Sequence, residues 1–189
     1  MILMMAGLLL FFAPHLFSTF RDARASAIER LGAGTYKGIY SVLSIIGLVM
    51  IGYGYGDWRA SGPALLWDPP VATRHIALLL MLLSTLAIGA YLVPSHLRAW
   101  LKHPMLVAVK LWALAHLLAN GDAATTTLAG AFLAYAVYDR ISVKRRGEAL
   151  PQAPKGWTGD LVAVVVGVVL YAALAFWFHP AVVGVPVMG

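Results

Sequence analysis

Few residues in this chain can do chemistry. It has six histidines, eight acidic residues and no cysteine, which excludes disulfides, iron–sulfur clusters, thiolate zinc sites and cysteine nucleophiles together. Neither an HExxH nor a GxSxG motif occurs, and no glycine-rich phosphate loop opens a helix. No two acids fall within one apolar stretch, so paired-carboxylate chemistry has no site either. What remains is imidazole chemistry in apolar surroundings.

Three histidines and three neighbours carry that chemistry. His116 lies twelve residues after Pro104 in an apolar stretch, with Trp112 and Asn120 on its helical face at i−4 and i+4. A haem-bound imidazole donates its other N–H to a fixed acceptor, and Asn120 is spaced to supply one. The alternative is a histidine hydrogen-bonded between helices. His15 follows Pro14, which frees a backbone carbonyl and bends a helix; the choices there are a metal or haem ligand and an interfacial histidine. His103 stands before Pro104 at a helix mouth, where a headgroup contact or a helix-start role also fits. Lys110 is six residues into the same apolar stretch, so its ammonium must snorkel, pair with an acid or enter a polar cavity, where a propionate or phosphate would suit it. His75, His96 and His179 sit at the ends of apolar stretches and read as interfacial.

The elements that position these residues are set by composition. Of 189 residues, 61% are hydrophobic and 12% charged, against about 45–50% and 25% in soluble domains. Water is not the main solvent of such a chain. A span needs about 20 apolar residues. Met1 to Phe20, Gly38 to Gly56, His75 to Leu97 and Leu161 to Gly189 qualify directly. Leu111 to Gly121 becomes a span by extending back through Lys110 to Pro104, and Ala123 to Tyr138 by extending toward Lys144. This gives an all-α polytopic bundle of six membrane helices in a single domain, residues 1–189. Four spans result if the Pro104 to Tyr138 region is a re-entrant hairpin. Gly52 and Gly56 are spaced for close helix approach, and their place near the helix end suits a simple turn equally well.

The cations test the count independently, because short cytoplasmic loops accumulate Lys and Arg. Arg21, Arg24, Arg30 and Lys37 follow span one; Arg98 and Lys102 follow span three; Arg140, Lys144, Arg145, Arg146 and Lys155 follow span five. These are eleven of the fourteen basic residues. The alternation implies six spans with both termini periplasmic, and it makes the net charge of +6 an orientation signal rather than a nucleic-acid footprint. Ala25-Ser26-Ala27 looks like a signal-peptide cleavage site, but the charges follow the apolar run instead of preceding it. The first stretch is therefore expected to be a membrane helix.

Several short motifs, in order, resemble the NnrU family. They are Pro14-His15-Leu16, Arg30-Leu31-Gly32, Tyr36-Lys37-Gly38-Ile39-Tyr40-Ser41, His103-Pro104-Met105, Leu111-Trp112-Ala113-Leu114-Ala115-His116 and Asn120-Gly121-Asp122. The resemblance implies a multi-pass protein of the bacterial inner membrane, surrounded by lipid, whose relatives are linked to nitrite and nitric oxide reduction. It also implies kinship with the plant zeta-carotene isomerases, haem b proteins that convert a cis double bond of a polyene to trans. Carried over, the haem ligands fall on His15 and His116. The isomerase cysteine three residues before the second histidine is Ala113 here, so thiolate ligation is impossible.

One iron needs both ligands at one depth. At the helical rise, His15 lies about 7 Å from the span edge at Phe20 and His116 about 18 Å from Pro104. Either the edges shift by a turn or two, or His103 partners His15. The expected function is haem b binding, with a redox or cis–trans isomerase role on an apolar isoprenoid or polyene substrate or a role in nitrogen-oxide respiration. Two other readings stand beside it. One is a cofactor-free accessory protein for a nitrite or nitric oxide reductase. The other is a membrane methyltransferase using S-adenosylmethionine, which Lys102-His103-Pro104 with Asn120 faintly resembles, although Leu106 and Ala108 replace its expected tyrosine and glycine.

Overall fold

The computed structural model describes residues 1–147 and 149–187. Its elements run α1 (Ile2–Phe17), α2 (Arg21–Leu31), α3 (Ala33–Ala60), α4 (Val71–Leu92), α5 (His96–Leu101), α6 (Pro104–Ala119), α7 (Ala123–Arg146) and α8 (Thr158–Ala173). The last continues into a π-helical segment, Leu174–Val183. Among the described residues the extended structure is limited to one isolated bridge between Leu65 and Asp122.

Helix is the form that apolar solvent selects, because it satisfies every backbone N–H and C=O within the segment. Among the described residues, three helices are long and apolar enough to cross a membrane: α3, α4 and Thr158–Val183. The pair α1 and α2 makes a fourth if taken as one broken span, bent by 92°. These membrane helices keep large side chains on their outer faces, such as Ile45 and Val169, each 61% exposed, as lipid contact requires. Two expected spans take a different form. The first ends at Phe17, and Arg21, Arg24 and Arg30 stand on the separate polar helix α2 rather than in a loop. The stretch from Pro104 closes at Ala119 after 16 residues, below the usual spanning length. α7 extends past Lys144 to Arg146, but it is not among the helices apolar enough to cross a membrane. The last two residues of the final expected span, 188 and 189, lie outside the described residues.

The chain divides into two compact units, 1–66 with 122–131, and 67–121 with 132–189. In the first, α1 packs along α3 through glycines that let the backbones meet. A Cβ built on Gly47 would sit 2.6 Å from the Phe11 nitrogen, and one on Gly7 2.7 Å from the Ile51 nitrogen. Gly54 meets the backbone of Met4 in the same way. Gly52 and Gly56, expected at such a contact, have open space beside them. Tyr55 and Thr125 join α3 to the start of α7 by a 2.9 Å hydroxyl hydrogen bond.

In the second unit α4 is central, with α6 and α8 both packed on it. Gly89 meets the Ala163 carbonyl, and a Cβ on Gly167 would lie 2.7 Å from the Leu86 Cα. Buried Ser84 donates from α4 to the Ala108 carbonyl of α6 at 2.9 Å. Proline at the first turn of α6, where the amide needs no partner, sets that helix off. Asn120 closes it, and Asp122 opens α7 by accepting from the Thr125 amide at 2.9 Å.

Because α1 and α3 touch through backbone, Gly47→Leu should cost about 1–3 kcal/mol by overpacking, whereas Gly52→Ala should be neutral or slightly stabilising. Thermal unfolding in detergent reads the contrast. Equal stability of the two variants would show that the close approach at Gly47 is not there.

Candidate functional site

His116 is held by its own helix. It is half-buried near the end of α6, and its Nδ1–H donates to the Trp112 carbonyl at 2.8 Å. A carbonyl can only accept, so a neutral ring carries its proton on Nδ1 and presents a lone pair at Nε2. Asn120, expected to accept that proton, instead donates from Nδ2 to the His116 backbone carbonyl at 3.1 Å. It caps α6 rather than orienting the imidazole. The Trp112 ring stands 4.7 Å from the His116 ring and meets Phe132 edge-on at 5.5 Å, forming an apolar wall beside it.

His116 also has a ring neighbour that was expected at the membrane interface. The His179 ring lies 6.2 Å away with the planes inclined by 23°. His179 is also tied to its own helix, donating from Nδ1 to the Leu174 carbonyl at 2.8 Å. That partner is five residues back because this stretch is π-helical, a form that appears mostly as short bulges at functional sites.

His103 caps the start of α6 and is half-buried. Burial and the cations Arg140, Lys102 and Lys110 hold its imidazole below the ordinary histidine range, with Asp139 pulling the other way. Its stability contribution is therefore intact at neutral pH and is lost as pH falls and the unfolded chain takes up the proton first. Lys110 is half-buried and makes no hydrogen bond or ion pair among the described residues. His75 is exposed, as an interfacial residue should be.

His15 belongs to the first unit. Its Nδ1–H donates to the Phe11 carbonyl at 2.6 Å, and its ring stacks on Phe11 at 4.2 Å and meets Tyr40 at 4.9 Å. Next to it, α1, α2 and α3 form an open groove of about 380 Å³ lined mainly by apolar side chains, including Pro14, Phe17, Leu31 and Leu43, together with Tyr36 and Tyr40. The Tyr36 hydroxyl is buried without a hydrogen-bond partner. The unit boundary separates the residues the resemblance pairs: His15 stands in one and His116 in the other.

A second polar cluster escaped sequence reasoning altogether. Asp160 at the start of α8 accepts from His96 Nδ1 at 2.7 Å and from the Leu97 amide at 3.0 Å. His96 also stacks on Trp157 at 4.1 Å. These partners are 63 and 64 residues apart, so no local spacing could have revealed them. The cluster fastens α5 to α8.

A family model described as NnrU protein matches residues 3–187, nearly the whole chain. No curated protein and no solved structure matches it.

The clasp at Asp160 makes a prediction of its own. Asp160→Ala strands the His96 N–H and the Leu97 amide, so it should lower Tm measurably. Detergent melting curves check this. An unchanged Tm would mark the pair as a passive surface contact.

Proposed function

The chain belongs to the NnrU family, and from that premise we propose that it is a haem b-binding protein of the bacterial inner membrane. Its six spans would place both termini in the periplasm, with α6 and α7 completing the set. The observation that carries the cofactor reading is the state of His116. It is an imidazole in an apolar helix with Nδ1 fixed by a backbone carbonyl and Nε2 making no hydrogen bond among the described residues. An unassigned ionisable group at membrane depth is expensive and marks a functional site by default. A fixed second-shell acceptor is what a ligating histidine requires.

The surroundings suit an apolar macrocycle. Trp112 and Phe132 supply flat hydrophobic surface beside the imidazole, and Lys110, with no carboxylate of its own, is the cation that would meet a propionate. Bound haem would supply one-electron chemistry or an electrophilic iron to an apolar substrate. The protein's part is to exclude water and fix the imidazole. Within the first unit, the groove beside His15, of about 380 Å³, falls within the range of about 300–1,000 Å³ typical of small-molecule sites, and its walls favour a polyene or isoprenoid chain, with Tyr36 offering a hydroxyl to a polar end. The role is thus a redox or cis–trans isomerase step on an apolar molecule.

Protein extracted in detergent after growth with ample haem precursor should show a Soret band and a pyridine haemochrome of b type, near one haem per chain. His116→Ala should lose most of it. Absence of any Soret band would return the histidines to purely structural roles. Orientation is read separately: a C-terminal alkaline phosphatase fusion should be active, and a fluorescent C-terminal GFP fusion would contradict the periplasmic termini.

A further inference from the structure

We propose that the turn between α5 and α6, together with the last turns of α7, binds the phosphate of an anionic phospholipid, with Lys102, His103 and Arg140 as its partners. Such a site needs no cofactor.

The backbone at this turn is strained. Among the described residues Lys102 is the one residue other than glycine with positive φ, at φ 62° and ψ −51°. Across it the His103 amide donates to the Leu101 carbonyl at 2.6 Å, which makes Lys102 the centre of a γ-turn of the rare, strained form. Glycine would sit there at less cost. What lysine supplies at this position is an ammonium beside His103.

Two helices converge on that ammonium. Trp112 of α6 meets Phe132 of α7 at 5.5 Å. Nine residues back from Trp112 is His103, and eight residues on from Phe132 is Arg140. At the helical rise both lie about 12–14 Å from the aromatic contact, so helices running in opposite directions bring them to one level. The charges of Arg140 and Lys102 both reach the His103 imidazole, which agrees with that register. Lys110 is seven residues beyond His103, about 10 Å deeper, and keeps the role given to it above.

The charge gathered here is unbalanced. Arg140 and His103 are half-buried, and neither side chain, nor that of Lys102, has a hydrogen bond or ion pair among the described residues. The neighbouring acid, Asp139, is engaged by Arg146 at 3.6 Å. Cations inside an apolar bundle are expensive unless they are paired. Two cations and an imidazole N–H with no acid of their own make a set of donors that phosphate oxygens complete, and a guanidinium meets such oxygens in bidentate fashion.

The surroundings favour a lipid over a soluble anion. Trp100, Met105, Val137 and Ile141 flank these residues along the chain, and all expose apolar surface. Tryptophan is enriched at the headgroup level of a bilayer, and basic pockets between membrane helices take anionic headgroups. A phospholipid places its phosphate among the cations and its acyl chains along the apolar side chains.

In the test, delipidated protein in detergent is titrated with phosphatidylglycerol, phosphatidylcholine or inorganic phosphate while thermal unfolding is followed. Wild type should show a saturable rise in Tm with phosphatidylglycerol and little change with the other two. Arg140→Gln should lose most of that rise. Lys102→Gly should lose it as well, although glycine relaxes the turn and leaves the lipid-free Tm equal or higher. A lysine with a backbone role alone would give that gain and keep the lipid response. Lys155→Gln, which removes an exposed cation outside the cluster, should respond as wild type does. If Arg140→Gln does not survive extraction, Lys102→Gly decides. An undiminished rise in Lys102→Gly, an equal loss in Lys155→Gln, or an equal rise with inorganic phosphate overturns the proposal; the second result marks diffuse surface attraction and the third a site for soluble anions.

Discussion

In hydrocarbon a polar hydrogen without an acceptor costs several kcal/mol, and this single constraint organises the molecule. It makes the backbone helical from Ile2 to Val183 with few breaks. It also acts on side chains. Ser84 reaches across to the Ala108 carbonyl, and His15, His116 and His179 each turn Nδ1 back to a carbonyl on their own helix. That local bond keeps the N–H satisfied and fixes the tautomer at the same time.

The helices can meet closely only where side chains are absent. Gly7, Gly47 and Gly54 bring α1 onto α3, and Gly89 and Gly167 bring α4 onto α8. Beside the α1–α3 seam lies the open groove under α2. Packing density and function are thus assigned to different faces of the same helices. α3 presents Gly47 and Gly54 to α1, yet lines the groove with Tyr36, Ile39 and Leu43.

Much of this architecture is legible in the chain, for physical reasons that also explain what is not. The long apolar runs behind α3, α4 and the final helix announce themselves because the bilayer imposes their length. The motifs around His15 and His116 are visible because family resemblance lies in short contiguous segments, and the NnrU match over residues 3–187 agrees. α2 was hidden because it is polar and short, so its arginines read as a loop. The contact glycines were misplaced because open and crowded glycines look identical in sequence. The nearness of His179 to His116 was hidden because the two rings stand on different helices, far apart in sequence. Asn120 was given the imidazole's proton because spacing cannot tell a side-chain acceptor from the backbone carbonyl that won.

The account turns on His116, an imidazole held at Nδ1 by the Trp112 carbonyl on an apolar helix. The visible spectrum of the detergent-purified protein tests the proposed haem reading most directly: a b-type Soret band in wild type that is lost in His116→Ala is the predicted result, and wild-type protein without any Soret band would contradict it.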